Sequence, residues 1–156
     1  MTKKLKICAG ASAGGHTNQL LRLLEYSKGW STQPSFYITT MPELKGVFGN
    51  EGKTYILGEC NRKHPFKALV VLFRAIKVLF KERPDLIITT GSMPIAMVCI
   101  IAKYFKVKII WIDSIANTKS ISMSGNFMRK RADLFLTQWP DVAEKYGEAE
   151  YAGSIL

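Results

Sequence analysis

Apolar positions along the chain alternate between short continuous runs and recurrences three or four residues apart. Leu5 to Ala9 is a strand-like run, and Leu20, Leu21, Leu23 and Leu24 then fall at helical spacing, predicting a helix over Gly15 to Lys28. The same switch repeats down the chain. Strands are predicted at Ser35–Thr40, Thr54–Leu57, Leu86–Thr90, Val107–Ile112, Asp133–Thr137 and Ala149–Ala152. Helices are predicted at Pro65–Arg83, Pro94–Phe105, Gly125–Arg131 and Asp141–Tyr146, with a short one around Pro42–Phe48. Repeated strand–helix alternation implies an α/β, Rossmann-like three-layer domain with a mostly parallel sheet. No solenoid-period repeat or low-complexity stretch interrupts it, so residues 1–156 form one domain.

Two corners of this pattern carry chemistry. Between the first strand and first helix lies Ala9-Gly-Ala-Ser-Ala-Gly-Gly-His-Thr-Asn18, a small-residue turn opening onto a helix N-terminus. Unpaired N–H groups at such an end face an anion, and glycine lets the ligand approach the backbone. The spacing of Gly10, Gly14 and Gly15 is neither the dinucleotide fingerprint nor a P-loop. The second corner is Gly91-Ser92-Met93-Pro94, again between strand and helix, while Asp113 and Ser114 follow the next strand. Ligands of open parallel sheets bind beyond the carboxyl ends of the strands, so His16, Gly91, Ser92 and Asp113 are expected to converge.

Composition adds a charge argument. The 156 residues include 22 Lys and Arg against 12 Asp and Glu, a formal charge of +10, which favours anionic partners. Hydrophobic residues make up 47%, which excludes a disordered chain. Cys8, Cys60 and Cys99 form no CxxC pair, and Cys8 and Cys99 are expected to be buried reduced thiols, in keeping with a cytoplasmic location. Met1 to Lys6 runs into the first strand without a signal-peptide core, and Met93–Ala102 is about half the roughly 20 residues a membrane span needs.

On the Pro65–Arg83 helix, Ala68, Leu69, Leu72, Phe73, Ile76, Leu79 and Phe80 share a broad face expected to pack on the sheet. The other face mixes Lys67, Arg74, Lys77 and Lys81 with Val70, Val71 and Val78, a composition suited to the interface of an anionic membrane. His64, in the basic loop Asn61–His64, is expected at the surface. Two histidines and no cluster of ligand residues give no metal site, and no cofactor is expected.

Four segments in order, Ser12–Thr17, Arg83–Gly91, Ile112–Ser114 and Ala132–Trp139, resemble the Alg14-type subunits of oligosaccharide and capsular-polysaccharide glycosyltransferases. The resemblance runs from Lys6 to about Gly153. It implies the N-terminal half of a GT-B enzyme, similar to the MurG type, with the sugar-nucleotide half on a separate Alg13-type polypeptide. It further implies a polyprenyl-diphosphate-linked acceptor in capsule or exopolysaccharide synthesis, a UDP-linked donor, inversion, no catalytic metal, and inactivity without the partner.

By the same resemblance the protein is a bacterial-type peripheral one on the inner face of the cell membrane, since eukaryotic members carry an N-terminal anchor. Ser12, Gly14, Gly15 and Thr17 would cradle the acceptor diphosphate, with Gly91 and Ser92 lining the same cleft. His16 and Asp113 are the two candidates for the base that takes the acceptor's proton; the family often carries Glu at the position of Asp113. Gln138 and Trp139 belong to the motif with either a ligand-binding or a fold-fixing role.

Two other classes fit the residues less well. A small-molecule Rossmann-like module would end strand 2 in an acidic residue, where this chain has Thr39-Thr40-Met41. A nucleic-acid binder would show a recognition motif or interleaved aromatics, and none is present.

Overall fold

The computed structural model describes residues 4–48, 53–60 and 65–155. Seven strands, β1 (Ile7–Gly10), β2 (Phe36–Thr39), β3 (Lys53–Ile56), β4 (Leu86–Thr89), β5 (Lys108–Ile112), β6 (Leu134–Thr137) and β7 (Glu150–Tyr151), pair in parallel throughout. Their order is β3-β2-β1-β4-β5-β6-β7. The chain therefore builds outward from β1 in one direction, crosses back, and builds outward from β4 in the other. The crevice between β1 and β4 is the topological switch point, where ligands of such sheets bind.

Among the described residues five α-helices connect the strands: α1 (Gly15–Tyr26), α2 (Pro65–Glu82), α3 (Met93–Tyr104), α4 (Met123–Met128) and α5 (Pro140–Lys145). One sheet face, carrying Ile87, Ile109, Trp111 and Phe135, is buried beneath residues of α2, α3, α4 and α5. The other face packs Ala9 and Tyr37 against Leu20 of α1, and Ile7, Ile88 and Ile112 against Leu23. Cys8 and Cys99 lie in the core as free thiols. Burial pushes both thiols up, that of Cys99 to about 12, so neither is an available nucleophile.

Local chemistry moves several boundaries from their expected places. Helix α1 stops at Tyr26 rather than Lys28, because the Ser27 hydroxyl donates to Leu24 O (2.7 Å) and its carbonyl accepts from Gln33 Nε2 (2.5 Å). Helix α4 begins two residues before Gly125, since Ser122 Oγ caps it by accepting from Gly125 N at 2.9 Å. A Cβ on Gly125 would lie 2.6 Å from Asp113 Oδ1, so this glycine sits inside the helix to permit close approach. The segment after Met41 forms only a 3-10 turn, Pro42–Leu44. The loop holding His64 lies outside the described residues.

Helix α2 presents the largest correction. Of the seven residues expected on the sheet, only Leu79 is fully buried; Leu69, Phe73 and Phe80 are exposed. Val71 and Val78, expected outside, are buried together with Ala75. The helix is apolar around more than half its circumference, so periodicity alone does not choose the buried face. Close approach to the sheet and to α3 selects the stripe of small and β-branched residues and leaves the phenylalanines outward. At the helix end, buried Glu82 accepts from Lys6 Nζ (2.7 Å) and from the Tyr55 hydroxyl, tying α2 to β1 and β3.

Candidate functional site at the switch point

The two small-residue corners meet where β1 and β4 end side by side. Gly14 caps α1 with φ +84°, a left-handed conformation that favours glycine, and α1 has no acidic residue in its first turn. Ser92 caps α3 with φ +115°, strained for a residue with a side chain. Ser92 is buried, and among the described residues its hydroxyl has no hydrogen-bond partner. Helix dipoles and unpaired N–H groups from both helices thus border one crevice.

His16 links the corners. Its Nδ1 lies 2.7 Å from Thr90 O, and Thr90 Oγ1 donates to His16 O, also at 2.7 Å. A carbonyl only accepts, so Nδ1 carries the proton and, in the neutral ring, Nε2 keeps its lone pair. Gly91 backs the ring: a Cβ there would lie 3.1 Å from Trp111 and 3.5 Å from His16 Cε1, and its φ is +102°. Both reasons require glycine. Thr17 turns inward, its hydroxyl donating to Ser12 O at 2.6 Å and closing the loop around Gly14 and Gly15. Thr40 Oγ1 accepts from Ala13 N (3.2 Å) and fixes the far side of the loop.

Asp113 is 2% exposed, and both its oxygens are engaged. Oδ2 accepts from Ser122 N (2.8 Å), while Oδ1 accepts from Ser122 Oγ (2.5 Å) and Trp111 Nε1 (3.3 Å). Its carboxylate anchors the connection that returns to α4. Gln138 and Trp139 also spend their polar groups inside the protein. Gln138 Nε2 donates to Gln19 Oε1 (2.7 Å) and Asp113 O (3.0 Å), and its Oε1 accepts from Ile155 N (2.9 Å). Trp139 Nε1 donates to Ile115 O (2.7 Å), while Ile115 N donates to Gln19 Oε1 (3.1 Å). These contacts fix the loop after β5 from both sides.

Thr90, Gln19 and Ser122 are the site residues that the sequence reading missed. Thr90 and Gln19 act through partners distant in the chain, Ser122 through Asp113 nine residues earlier, and only Gln19 left a signal, a polar residue beside the apolar face of α1.

On the outside of α2, Phe66, Leu69, Phe73 and Phe80 form an exposed apolar row; Phe66 is 81% and Phe73 69% exposed. Lys67, Arg74, Lys77 and Lys81 are exposed alongside it. Phe80 also meets Phe105 edge-to-face at 4.9 Å, which continues the patch toward the end of α3. Among the described residues no helix is long and apolar enough to cross a membrane.

Fold and crevice together define a Rossmann-like α/β domain equivalent to the N-terminal half of a GT-B glycosyltransferase. The crystal structure of MurG from Acinetobacter baumannii superposes with a TM-score of 0.76 at 14% identity, covering 94% of this chain and 45% of that one. A UDP-GlcNAc 2-epimerase from Methanocaldococcus jannaschii superposes with a TM-score of 0.70 at 13% identity, over 96% of this chain and 46% of that one. The chain thus spans less than half the length of these structures.

Residues 56–155 match the family model described as "Oligosaccharide biosynthesis protein Alg14 like". The UDP-N-acetylglucosamine transferase subunit alg14 of Schizosaccharomyces pombe is 30% identical, over 92% of this chain and 80% of its own length. The human subunit of the same name is 25% identical, over 99% of this chain and 84% of its own. The chain belongs to the Alg14 family.

Proposed function

We propose that the chain is the acceptor-binding, membrane-associated subunit of a two-component inverting glycosyltransferase. It works with an Alg13-type donor-binding partner and transfers a sugar from a UDP-linked donor to a polyprenyl-diphosphate-linked saccharide, in capsule or exopolysaccharide synthesis. The observation that carries this reading is the His16–Thr90 pairing between two helix N-termini at the switch point. N–H groups of Gly14, Gly15 and Ser92 hold the acceptor's diphosphate, with the hydroxyls of Ser12 and Ser92 beside them; Gly91 lines the cleft, its own N–H donating to Thr89 Oγ1 at 3.0 Å. His16 Nε2 takes the proton of the attacking hydroxyl as its oxygen bonds to the anomeric carbon. The bond from that carbon to the diphosphate breaks, and the nucleotide diphosphate leaves. Asp113, with both oxygens occupied, acts as a positioning residue rather than the base.

The donor sugar is held on the partner, so the chain alone is inactive, and its C-terminal end helps dock that partner. The cationic apolar face of α2 seats the subunit on the cytoplasmic face of the cell membrane, beside acceptors whose diphosphates lie at the surface.

Vesicle flotation with and without anionic lipid, comparing the wild type with a variant carrying Glu at Lys67, Arg74, Lys77 and Lys81, tests the membrane half of the proposal. Charge-dependent binding lost in the variant is expected; equal binding by both proteins contradicts it. The catalytic half is tested by turnover with the partner present, and turnover of a nucleotide sugar by the single chain refutes the division of labour.

A further inference from the structure

The end of the sheet opposite the crevice carries a second surface. Helices α2 and α3 finish there together, with Phe80 and Phe105 edge-to-face at 4.9 Å. Beside them opens a cavity of about 380 Å3 lined by Leu79, Phe80, Pro84 and Phe105, with Arg83 and Asp85 completing it. One side of it is rigid. Asp85 N donates to Lys6 O (2.9 Å), its carbonyl accepts from Lys108 N (3.0 Å) and its Oδ2 accepts from Lys6 N (2.9 Å). The starts of β1 and β5 thus hold Asp85 in place.

Two exposed cations, Arg83 and Lys106, follow the ends of α2 and α3. Both are left-handed, with φ +46° and +58°, at positions where glycine is the least strained residue. Complementing the helix dipoles does not require them, since Lys81 and Lys103 already lie in the last turns. Nearby Lys6 is matched by Glu82, and Lys103 and Lys108 by Asp133. Among the described residues Arg83 and Lys106 form no ion pair. Strained cations without an acid beside an aromatic-walled cavity point to an acid supplied from outside.

We propose that this end of the domain docks an acidic peptide segment of a partner protein. One bulky apolar side chain of the segment fills the cavity, and flanking carboxylates pair with Arg83 and Lys106. A phosphate lodged in the cavity would lie against Asp85, a like charge, whereas a peptide turns its N–H groups toward it. A second copy of the chain brings the same excess charge of +10 and is repelled. No residue of the crevice enters this inference, so it stands apart from the glycosyltransferase reading.

The test uses the full chain and a fluorescein-labelled peptide, Glu-Asp-Glu-Phe-Glu-Asp-Glu, titrated by fluorescence anisotropy at physiological ionic strength. Saturable one-to-one binding is expected, about tenfold weaker when glycine replaces the phenylalanine of the peptide. Arg83→Gly/Lys106→Gly relieves both left-handed residues while removing both charges. Its melting temperature is expected to rise and its affinity for the peptide to fall about tenfold or more. Lys45→Glu, beyond the other end of β2, removes the same two units of charge and leaves binding unchanged.

Unsaturable binding, equal affinity for the two peptides, or native affinity in Arg83→Gly/Lys106→Gly each overturns the docking surface. A fall in both melting temperature and affinity overturns it as well, since the two cations then serve the fold. Absence of peptide binding, with flotation on phosphatidylglycerol vesicles lost in the double variant, overturns it in favour of a lipid headgroup.

Discussion

Gln138 Nε2 donates to Gln19 Oε1 across 2.7 Å, joining residues 119 positions apart in a fully buried pair. Gln19 reaches Gly15 O (3.2 Å) at the start of α1, and Gln138 reaches Ile155 N (2.9 Å) near the end of the chain. The pair thus ties the Gly-rich corner, the loop after β5 and the C-terminal segment into one unit. Gln138→Leu leaves the partly buried Ile155 N–H without its partner and removes one of the two donors to Gln19 Oε1, the other being Ile115 N, and an unpaired buried group costs about 1–3 kcal/mol. Urea unfolding is expected to show that loss, with Gln19→Leu/Gln138→Leu less destabilised than the sum of the single variants.

His16→Ala removes the proposed base. Transfer by the complex is expected to fall about 10²–10⁴-fold while partner binding stays near wild type and stability drops by about 1–3 kcal/mol, since Thr90 O loses its partner. A drop below tenfold in steady-state turnover would argue that His16 only closes the loop.

Asp113→Asn keeps the side-chain volume but puts an amide against the Ser122 N–H, which already requires an acceptor. The expected loss is about 1–3 kcal/mol by denaturant titration, and Ser122→Ala in the Asp113→Asn background costs less than it does alone. A catalytic loss matching that of His16→Ala, with stability intact, would return Asp113 to the chemistry.

Gly91→Ala introduces a Cβ at a backbone φ of +102°, 3.1 Å from Trp111. Strain of about 1–3 kcal/mol is expected in thermal unfolding, together with displacement of the His16 ring detectable in its NMR resonances.

Acid sensitivity is concentrated at the opposite edge of the sheet. Burial raises the Asp133 pKa, but hydrogen bonds from Lys103 (2.7 Å), Lys108 (2.9 Å) and Ile109 N (2.9 Å) outweigh it and hold the carboxyl at about 2. A folded value below the unfolded one means stabilisation that is full above about pH 4 and lost as pH falls toward 2. Glu82 acts in the same direction, lowered by its bonds to Lys6 and Tyr55. Asp133→Asn is expected to flatten the dependence of urea stability on pH across that window; an unaltered slope would refute it.

The α/β alternation was legible because local patterning creates it: strand runs and helical spacing are properties of neighbouring residues. Both small-residue corners were legible for the same reason, since a tight strand-to-helix turn is written in neighbouring residues. Asp113 shows where that ends. Its place after β5 marked it as a candidate, but only the fold of the loop after it brings Ser122 onto both oxygens.

By itself the sequence determined the elements, the parallel α/β class, the two small-residue corners between strand and helix and a cationic α2. Tertiary structure decided the strand order, which face of α2 is buried, and that the Asp113 carboxylate is buried on partners within the protein. Those outcomes depend on contacts between distant segments, such as Thr90 to His16 across 74 residues, and on how closely layers approach. Helix α2 is apolar on too much of its surface for periodicity to choose. Packing chose Val71, Ala75 and Val78 because small and branched side chains sit closest to the sheet, and that choice turned Phe66, Leu69 and Phe73 outward.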